Sequence, residues 1–349
     1  MAKSDFEQRH LETLDRDLKR FSTLEQATAY ASRPMMGLGV SLVFILVAGL
    51  VAFYLFGQTG NTLVVVIAAG FGAYMALNIG ANDVANNMGP AVGANALTMG
   101  GAIAIAAVFE SAGALLAGGD VVSTIAKGII APQSMQTASI FIWAMLAALL
   151  SAALWVNLAT WVGAPVSTTH SVVGGVMGAG IAAAGFAAVN WPTMYKIAAS
   201  WVISPVLGGV IAALFLWFIK TKIVYRDDKI AAARVWVPVL VGIMGGAFSV
   251  YLALKGLKKI MKIDFSSALM IGLGLGVIIW VVMIPVVRKQ AEGLENRNKS
   301  LKKLFGIPLI VSAALLSFAH GANDVANAVG PLAAIVQASA SGGFADAVS

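Results

Sequence analysis

GANDVANNMGP at residues 80–90 returns as GANDVANAVGP at residues 321–331, with nine of the eleven positions identical. A motif repeated 241 residues apart predicts two related halves whose matching elements meet at one site. Each copy holds an aspartate, Asp83 or Asp324, within otherwise apolar sequence. An ionisable side chain inside a membrane span costs about 2.5 to 3.5 kcal/mol on insertion scales, so we interpret both aspartates as functional.

The composition is typical of a membrane protein. Of the 349 residues, 59% are hydrophobic and 11% are charged, whereas about 25% are charged in soluble domains. Several apolar runs reach the roughly 20 residues with which a helix crosses a bilayer, which excludes the short alternating strands of a membrane β-barrel. We therefore predict an all-α, polytopic fold whose partner is the lipid bilayer.

The net charge of +7 does not indicate a nucleic-acid partner. Of the 23 Lys and Arg residues, 21 lie in four polar stretches that border apolar segments, as is typical of cytoplasmic loops. The sequence therefore predicts a multi-pass protein of the cell (inner) membrane with a cytoplasmic N-terminus. The four stretches are 3–33, 220–234, 255–262 and 288–303.

Eight apolar segments predict membrane-spanning helices. The two crossings between stretches 220–234 and 288–303 place both on the same side of the membrane. The basic loop 255–262 would then lie on the opposite side, against the positive-inside rule. Either the loop is an exception to the rule, or one of the neighbouring segments does not cross the membrane fully. The segments cover residues 36–57, 62–79, 99–118, 137–160, 196–219, 236–254, 265–287 and 304–320.

The chain divides into four parts. Residues 1–34 form a polar leader, which we predict to be a cytosolic amphipathic helix because apolar side chains recur at spacings of three to five. Residues 35–219 form a first transmembrane repeat with the first motif. Residues 220–303 hold basic loops and connecting transmembrane helices, and residues 304–349 begin a second repeat with the second motif.

Helix-weakening residues bracket each motif. Gly80, Gly89 and Pro90 surround the first copy, and both residue types weaken or end helices. We therefore predict a broken helix at membrane depth. Non-helical backbone is tolerated there only where protein or a water-lined cavity satisfies it, which indicates a binding site.

A cluster of hydroxyls lies in GAPVSTTHSVVGG at residues 163–175. We interpret Ser167, Thr168 and Thr169 as the tip of a re-entrant hairpin that enters a helix. Hydroxyls and free backbone N–H groups at a helix start suit an anion. The alternative is a capped helix end with nothing bound.

The two kinds of element together predict cation-coupled anion transport. Carboxylate, amide and carbonyl oxygens suit a small hard cation, and the hydroxylated helix start suits an oxyanion. Side-chain positive charge is scarce, because only Lys127 and Lys196 lie outside the four basic stretches. A bound anion would be neutralised by dipoles and co-transported cations.

The duplicated motif, Glu110 and PVSTTH at residues 165–170 resemble the signature of the inorganic phosphate transporter (PiT) family. The resemblance extends from about residue 62 to the end. It implies a secondary active transporter that imports phosphate with Na⁺ or H⁺ by alternating access. It also implies two inverted repeats, each of which gives one motif-bearing broken helix and one re-entrant hairpin to a central site.

The resemblance further implies a substrate site and an overlapping cation site. No catalytic residue and no cofactor beyond the co-transported ion is expected, and a homodimer stays open. The substrate site would comprise Asn82, Asp83, Ser167, Thr168, Thr169, Asn323 and Asp324. The cation site would comprise Asp83, Asn86, Glu110, Asp324 and Asn327, with Na⁺ at Asp83 and Asp324.

A counterpart of Glu110 would fall near position 351, and a counterpart of Ser167 near position 408. Both positions lie beyond Ser349. We therefore expect a second repeat that is truncated in this chain or supplied elsewhere.

Other functions remain open on the sequence. Two intramembrane carboxylates could form an aspartyl protease dyad, and Ser167 with His170 could form a hydrolase pair. The motif could also serve only helix packing, with a salt-bridged aspartate. Within the transporter interpretation, sulfate competes with phosphate and H⁺ with Na⁺. For His170 and His320 we favour hydrogen bonding over proton relay.

Overall fold

The computed structural model describes residues 37–57, 61–256 and 263–341. The leader predicted at residues 1–34 and most of the loop at 255–262 lie outside these ranges. Within them the chain is helical, without a β-strand, and eight helices are long and apolar enough to cross a membrane. The prediction of an all-α, multi-span membrane protein is therefore confirmed.

All eight predicted spans coincide with helices. Two short helices, α4 and α10, lie in segments that we predicted to be polar connections, and α6 is too short to count as a span. The helices are α1 Gly37–Phe56, α2 Thr62–Gly93, α3 Met99–Ala117, α4 Gly119–Lys127, α5 Ala138–Trp161, α6 Thr168–Ala184, α7 Trp191–Ile219, α8 Lys229–Lys255, α9 Phe265–Gln290, α10 Asn298–Leu304 and α11 Gly306–Ser341.

The predicted breaks in the motif helices are wrong. α2 passes through the whole first motif and ends at Gly93, and α11 continues ten residues beyond Pro331. A glycine costs a helix only about 1 kcal/mol, which packing can offset. Each proline instead removes one backbone donor, so it leaves the carbonyl four residues earlier without its usual helical partner. That carbonyl belongs to Asn86 in the first copy and to Asn327 in the second.

The two motif helices run antiparallel and cross at their motifs. The start of α2, at Val65 and Ala69, packs against Leu332 near the end of α11. Further along α2, Met88 packs in the same cluster as Ala313, near the start of α11. This geometry brings the beginnings of the two motifs together, so that Asp83 and Asp324 lie on either helix near His320.

Helices α3 and α4 pack closely along α11. A β-carbon added at Gly321, the first residue of the second motif, would overlap the backbone of Glu110. One added at Gly113 would overlap the backbone of Phe318. Gly330, at the end of the motif, lies against Ile125 of α4. Glycine at these positions therefore allows the backbones to approach.

Helices α5 and α6 form a hairpin that packs on both motif helices and holds much of the largest buried cluster. α6 has 17 residues, or about 25 Å of helix. It is thus shorter than the roughly 30 Å hydrocarbon core. This length agrees with the predicted re-entrant segment, which stays a prediction.

Helices α8 and α9 form a second close pair. A β-carbon at Gly246 of α8 would lie 2.8 Å from the carbonyl oxygen of Gly272 of α9, and one at Gly242 would lie 2.8 Å from that of Gly276. Spacings of four residues between small side chains let membrane helices approach to backbone contact. These four glycines therefore define the α8–α9 interface.

The basic stretches 220–234 and 288–303 lie at the same end of the α8–α9 pair, as predicted. The guanidinium of Arg234 donates to the carbonyl of Ala291 at 3.2 Å. The amide of Asn296 donates to the carbonyl of Asp227 at 2.6 Å. Leu301 and Leu304 of α10 are buried in the same cluster as Ile223 and Ile230.

We expect Gly246→Ala to destabilise the α8–α9 pair, because the added methyl group would push the two backbones apart. Gly274→Ala on α9 is the matched control, since a β-carbon there meets nothing within 4 Å. Alanine favours the helix by about 1 kcal/mol at either site. Thermal melting in detergent should show a lower Tm for Gly246→Ala only. Equal melting temperatures of the two variants would contradict backbone contact at Gly246.

Candidate functional site

The imidazole of His320 lies among three carboxylates from three helices. Its Nε2 atom is 2.6 Å from Asp324 Oδ2 and 3.6 Å from Asp83 Oδ2. Its Nδ1 atom is 3.7 Å from Glu110 Oε1. The antiparallel crossing of α2 and α11 thus places both motif aspartates around one side chain, and α3 adds a third carboxylate.

Glu110 is held in place from two directions. The side-chain amide of Asn87 on α2 donates to Glu110 Oε1 at 3.1 Å. On α3, the backbone of Glu110 packs directly against Gly321, at the start of the second motif. The family resemblance predicts Glu110 as a cation-site residue, and the structure places it beside His320 near the two motif aspartates.

The start of α6 meets the second motif. Thr168 Oγ1 lies 3.4 Å from Asp324 Oδ2. The amide nitrogen of Asn327 lies 3.2 Å from Thr168 Oγ1 and 3.1 Å from Thr169 Oγ1. Thr168 is 3% exposed and Asn327 is fully buried. The hydroxyl cluster and the carboxylates therefore form one continuous polar site.

Ser167 has a different role from its two neighbours. It is the N-cap of α6, and its hydroxyl accepts a hydrogen bond from the backbone N–H of His170 at 3.2 Å. The ring of His170 packs instead on Trp201, with centroids 3.8 Å apart. The geometry therefore supports the capping interpretation for Ser167, and it offers no base for a Ser167–His170 hydrolase.

The first motif reaches α5 through a chain of amides and hydroxyls. The amide of Asn82 donates to Thr160 Oγ1 at 3.0 Å. One turn earlier on both helices, the amide of Asn157 donates to Asn78 Oδ1 at 2.8 Å. These bonds fix the rotation of α2, which points Asp83 towards α11.

Three buried oxygens of the two motifs have no hydrogen-bond donor. They are Asn82 Oδ1, Asp83 Oδ2 and Asn327 Oδ1. A buried polar atom without a partner costs about 1 to 3 kcal/mol, and more when it is charged. Carboxylate and amide oxygens are the ligands that hard cations prefer. Their chemistry therefore favours a cation as the missing partner.

Two residues predicted from the motif do not lie at this centre. Asn86 is exposed on α2, although its counterpart Asn327 is buried. Asn323 is also exposed, and it reaches the site only through its amide, which lies 3.4 Å from Asp324 Oδ1. The two copies differ because α3, α4 and α6 pack on α11, and no equivalent helices cover α2 within the described ranges.

The sequence analysis missed several site residues. His320 was identified only as a hydrogen-bonding neighbour of the motif, and its place between the carboxylates was not predicted. Asn87 occupies a motif position at which the second copy has Ala328. Asn157 and Thr160 could have been found, because they are polar side chains in the apolar segment 137–160.

The described part of the site is strongly acidic. Asp83, Glu110 and Asp324 meet there, and no ion pair among the described residues brings a lysine or arginine to them. An anion at the hydroxyls of α6 would lie beside Asp324. Its charge would be repelled by that carboxylate unless positive charge lay nearby.

Comparisons with known proteins show which family the chain is similar to. The phosphate transporter family matches residues 79–347. A Helicobacter pylori protein that carries the name phosphate permease is 52% identical over 92% of this chain and 60% of its own length. A chloroplastic inorganic phosphate transporter of Arabidopsis thaliana is 38% identical over 80% of this chain and 52% of its own length.

A solved structure described as the sodium-dependent phosphate transporter has the same fold, with a TM-score of 0.76. It is 36% identical, and the match covers 82% of this chain and 70% of that one. The chain spans about 60% of the length of the Helicobacter pylori relative. Because the family match covers most of the residues, the chain belongs to the phosphate transporter family.

Proposed function

We propose that the chain forms the core of a secondary active transporter that imports inorganic phosphate by symport with Na⁺ through alternating access. The observation that carries the proposal is the meeting of Asp83, Asp324 and Glu110 with the hydroxylated start of α6. The family supports phosphate as the substrate, and the sodium-dependent structural relative supports Na⁺ over H⁺.

The cation would bind at the oxygens that lack donors. Asp83 Oδ2, Asn82 Oδ1 and Asn327 Oδ1 are buried without a hydrogen bond, and Asp324 lies close to Asp83. The carbonyl of Asn327, freed by Pro331, adds a further oxygen near the same turn. Removal of a cation from such a cage would leave the carboxylates to repel one another.

Phosphate would bind next to the cation, at the start of α6. Thr168 and Thr169 offer hydroxyls, and the first turn of a helix offers free N–H groups and a favourable dipole. Like charges 4 Å apart repel by about 4 kcal/mol at an effective dielectric constant near 20. Phosphate therefore could not bind beside Asp324 and Asp83 unless cations had bound first, which would couple the two fluxes.

The second repeat would cover the open face of α2. A groove of about 650 Å³ runs along this face. A β-carbon at Gly80 or Gly89 meets nothing within 4 Å, whereas the equivalent Gly321 and Gly330 pack against α3 and α4. An inverted repeat would place counterparts of α3 and α4 in this groove. This arrangement would also bury Asn86.

We propose that the protein lies in the cell (inner) membrane with the basic ends of α8 and α9 facing the cytoplasm. The stretches 220–234 and 288–303 lie at one end of the bundle and hold 11 of the 23 Lys and Arg residues. The positive-inside rule favours that end for the cytoplasm. Because α8 and α9 flank loop 255–262, two full crossings would place that loop on the side opposite the cytoplasm.

Enzymatic alternatives do not fit. The chain belongs to a family of phosphate transporters, which are not enzymes. Asp83 and Asp324 also both lie close to Nε2 of His320, whereas a protease dyad shares one proton between the two carboxylates alone.

Uptake of labelled phosphate into vesicles tests the proposal. With the full-length protein reconstituted, an inward Na⁺ gradient should drive phosphate accumulation, and an equal K⁺ gradient should not. Labelled sulfate in parallel vesicles tests the competing substrate. Sulfate uptake equal to phosphate uptake, or phosphate uptake that follows a proton gradient instead, would refute the corresponding part of the proposal.

We expect Asp83→Asn and Asp324→Asn each to abolish Na⁺-stimulated uptake, because each change removes a hard ligand and a compensating charge. Asp264→Asn is the matched control, since Asp264 caps α9 away from the site and asparagine caps equally well. Vesicle uptake measured over a range of Na⁺ concentrations compares the three variants. Wild-type Na⁺ dependence in both site variants would contradict the assignment.

We expect Thr168 and Ser167 to have different roles, the first in phosphate binding and the second in capping α6. Thr168→Val keeps the shape of the side chain and loses a hydroxyl at the site, so phosphate affinity should fall by tenfold or more. Ser167→Ala removes the α6 cap, so thermal stability should fall with phosphate affinity nearly unchanged. Phosphate titration and melting curves on the same purified variants make the comparison. A stability loss without an affinity loss in Thr168→Val would assign that hydroxyl to the scaffold.

A further inference from the structure

We propose that Asp83, His320 and Asp324 form a binding site for a divalent transition metal of the Zn²⁺ type, which competes there with the transported cation. The inference rests on the proposed function for the competition, but the metal site itself rests on geometry alone. The three residues come from both copies of the motif helices, so the metal would bridge α2 and α11.

The ligand atoms already lie within reach of one ion. One atom from each of the three side chains can be chosen so that all lie within 4.8 Å of one another. Ligands of a tetrahedral zinc ion, with bonds near 2.0 to 2.1 Å, lie about 3.4 Å apart. The observed separations from His320 Nε2 are 2.6 Å to Asp324 and 3.6 Å to Asp83. Shifts of under about 1 Å would therefore complete the site.

Asp83 supplies an observation that is independent of the clustering. Its Oδ2 atom is buried, points towards His320 and has no hydrogen-bond donor. Asp83 as a whole is 7% exposed. A carboxylate oxygen that is taken out of water without a hydrogen bond is costly, and a metal ion would remove that cost.

Glu110 lies on the side of His320 where zinc sites commonly place a supporting carboxylate. A metal-binding histidine donates its other ring N–H to a carboxylate, which fixes the tautomer and raises the basicity of the ligand atom. Here Nε2 of His320 faces the two aspartates, and Nδ1 lies 3.7 Å from Glu110. The amide of Asn87 orients Glu110 in turn at 3.1 Å. Glu110 and Asn87 would thus support His320 without touching the metal.

The imidazole decides the class of ion. Na⁺, Mg²⁺ and Ca²⁺ take oxygen ligands, whereas imidazole nitrogen suits Zn²⁺, Co²⁺, Ni²⁺ and Cu²⁺. A site with only the oxygens of the motifs would favour the first group. His320 has no counterpart in the first repeat, where Ile79 holds the equivalent position. The second motif helix therefore adds the one ligand that selects a transition metal.

Cobalt absorption and zinc calorimetry test the site directly, on purified protein in buffer without Na⁺ or phosphate. The wild type should bind Zn²⁺ and should give visible Co²⁺ absorption bands. His320→Gln should lose at least about 100-fold in Zn²⁺ affinity together with these bands. His170→Gln is the matched control, because His170 is exposed and packs on Trp201 away from the carboxylates; it should bind as the wild type does.

Glu110→Gln decides the question if His320→Gln fails to fold. This variant keeps all three ligands and loses the carboxylate behind His320, so Zn²⁺ affinity should fall by about 10- to 100-fold. Added Na⁺ should weaken Zn²⁺ binding by the wild type. Zn²⁺ affinities of His320→Gln and Glu110→Gln within threefold of wild type would overturn the site. Zn²⁺ binding that Na⁺ leaves unchanged would overturn the competition.

These outcomes are separate from those of the transport proposal. Metal binding is measured without phosphate and without a gradient, so it can succeed even where vesicle uptake shows no phosphate transport. Uptake driven by Na⁺ can equally succeed when no Co²⁺ absorption is seen. Each proposal can therefore fail alone.

Discussion

The mutual repulsion of three carboxylates in an apolar interior is the constraint on which the rest of the structure depends. Asp83, Glu110 and Asp324 converge on His320, and both aspartates are buried. Like charges that lie 4 Å apart repel by about 4 kcal/mol at an effective dielectric constant near 20, and the repulsion falls with distance. The site is therefore stable only with positive charge in it, whether from an imidazolium or from bound cations.

Small residues allow the helices to approach closely enough for these carboxylates to meet. Glu110 reaches the site because Gly321 and Gly113 let the backbones of α3 and α11 come into contact. The glycines of the motif thus serve helix packing rather than helix breaking. The prolines free one carbonyl each without ending the helix. The outer faces of the long helices are apolar, so the buried polar side chains are concentrated where α2 and α11 cross.

Much of the fold followed from hydrophobicity alone, because a membrane span needs only length and composition. The site was harder to predict, because each residue of a helix is rotated by about 100° from the last, and the sequence does not say which face meets a neighbour. Asn86 and Asn327 hold the same motif position, yet only Asn327 is buried. Ser167 and Thr168 are adjacent, yet one caps α6 and the other faces the carboxylates. His320 could be placed only when α2 and α3 were packed on α11.

The central claim is that cation and phosphate share one site and stabilise each other there. Reciprocal titration of the full-length protein tests it most directly, with the phosphate Kd measured with and without saturating Na⁺, and the Na⁺ Kd with and without saturating phosphate. Thermodynamic linkage requires the two affinities to rise by the same factor, and couplings of this kind are typically about 5- to 150-fold. We predict a factor in that range. A phosphate Kd that is the same with and without Na⁺ would contradict the account.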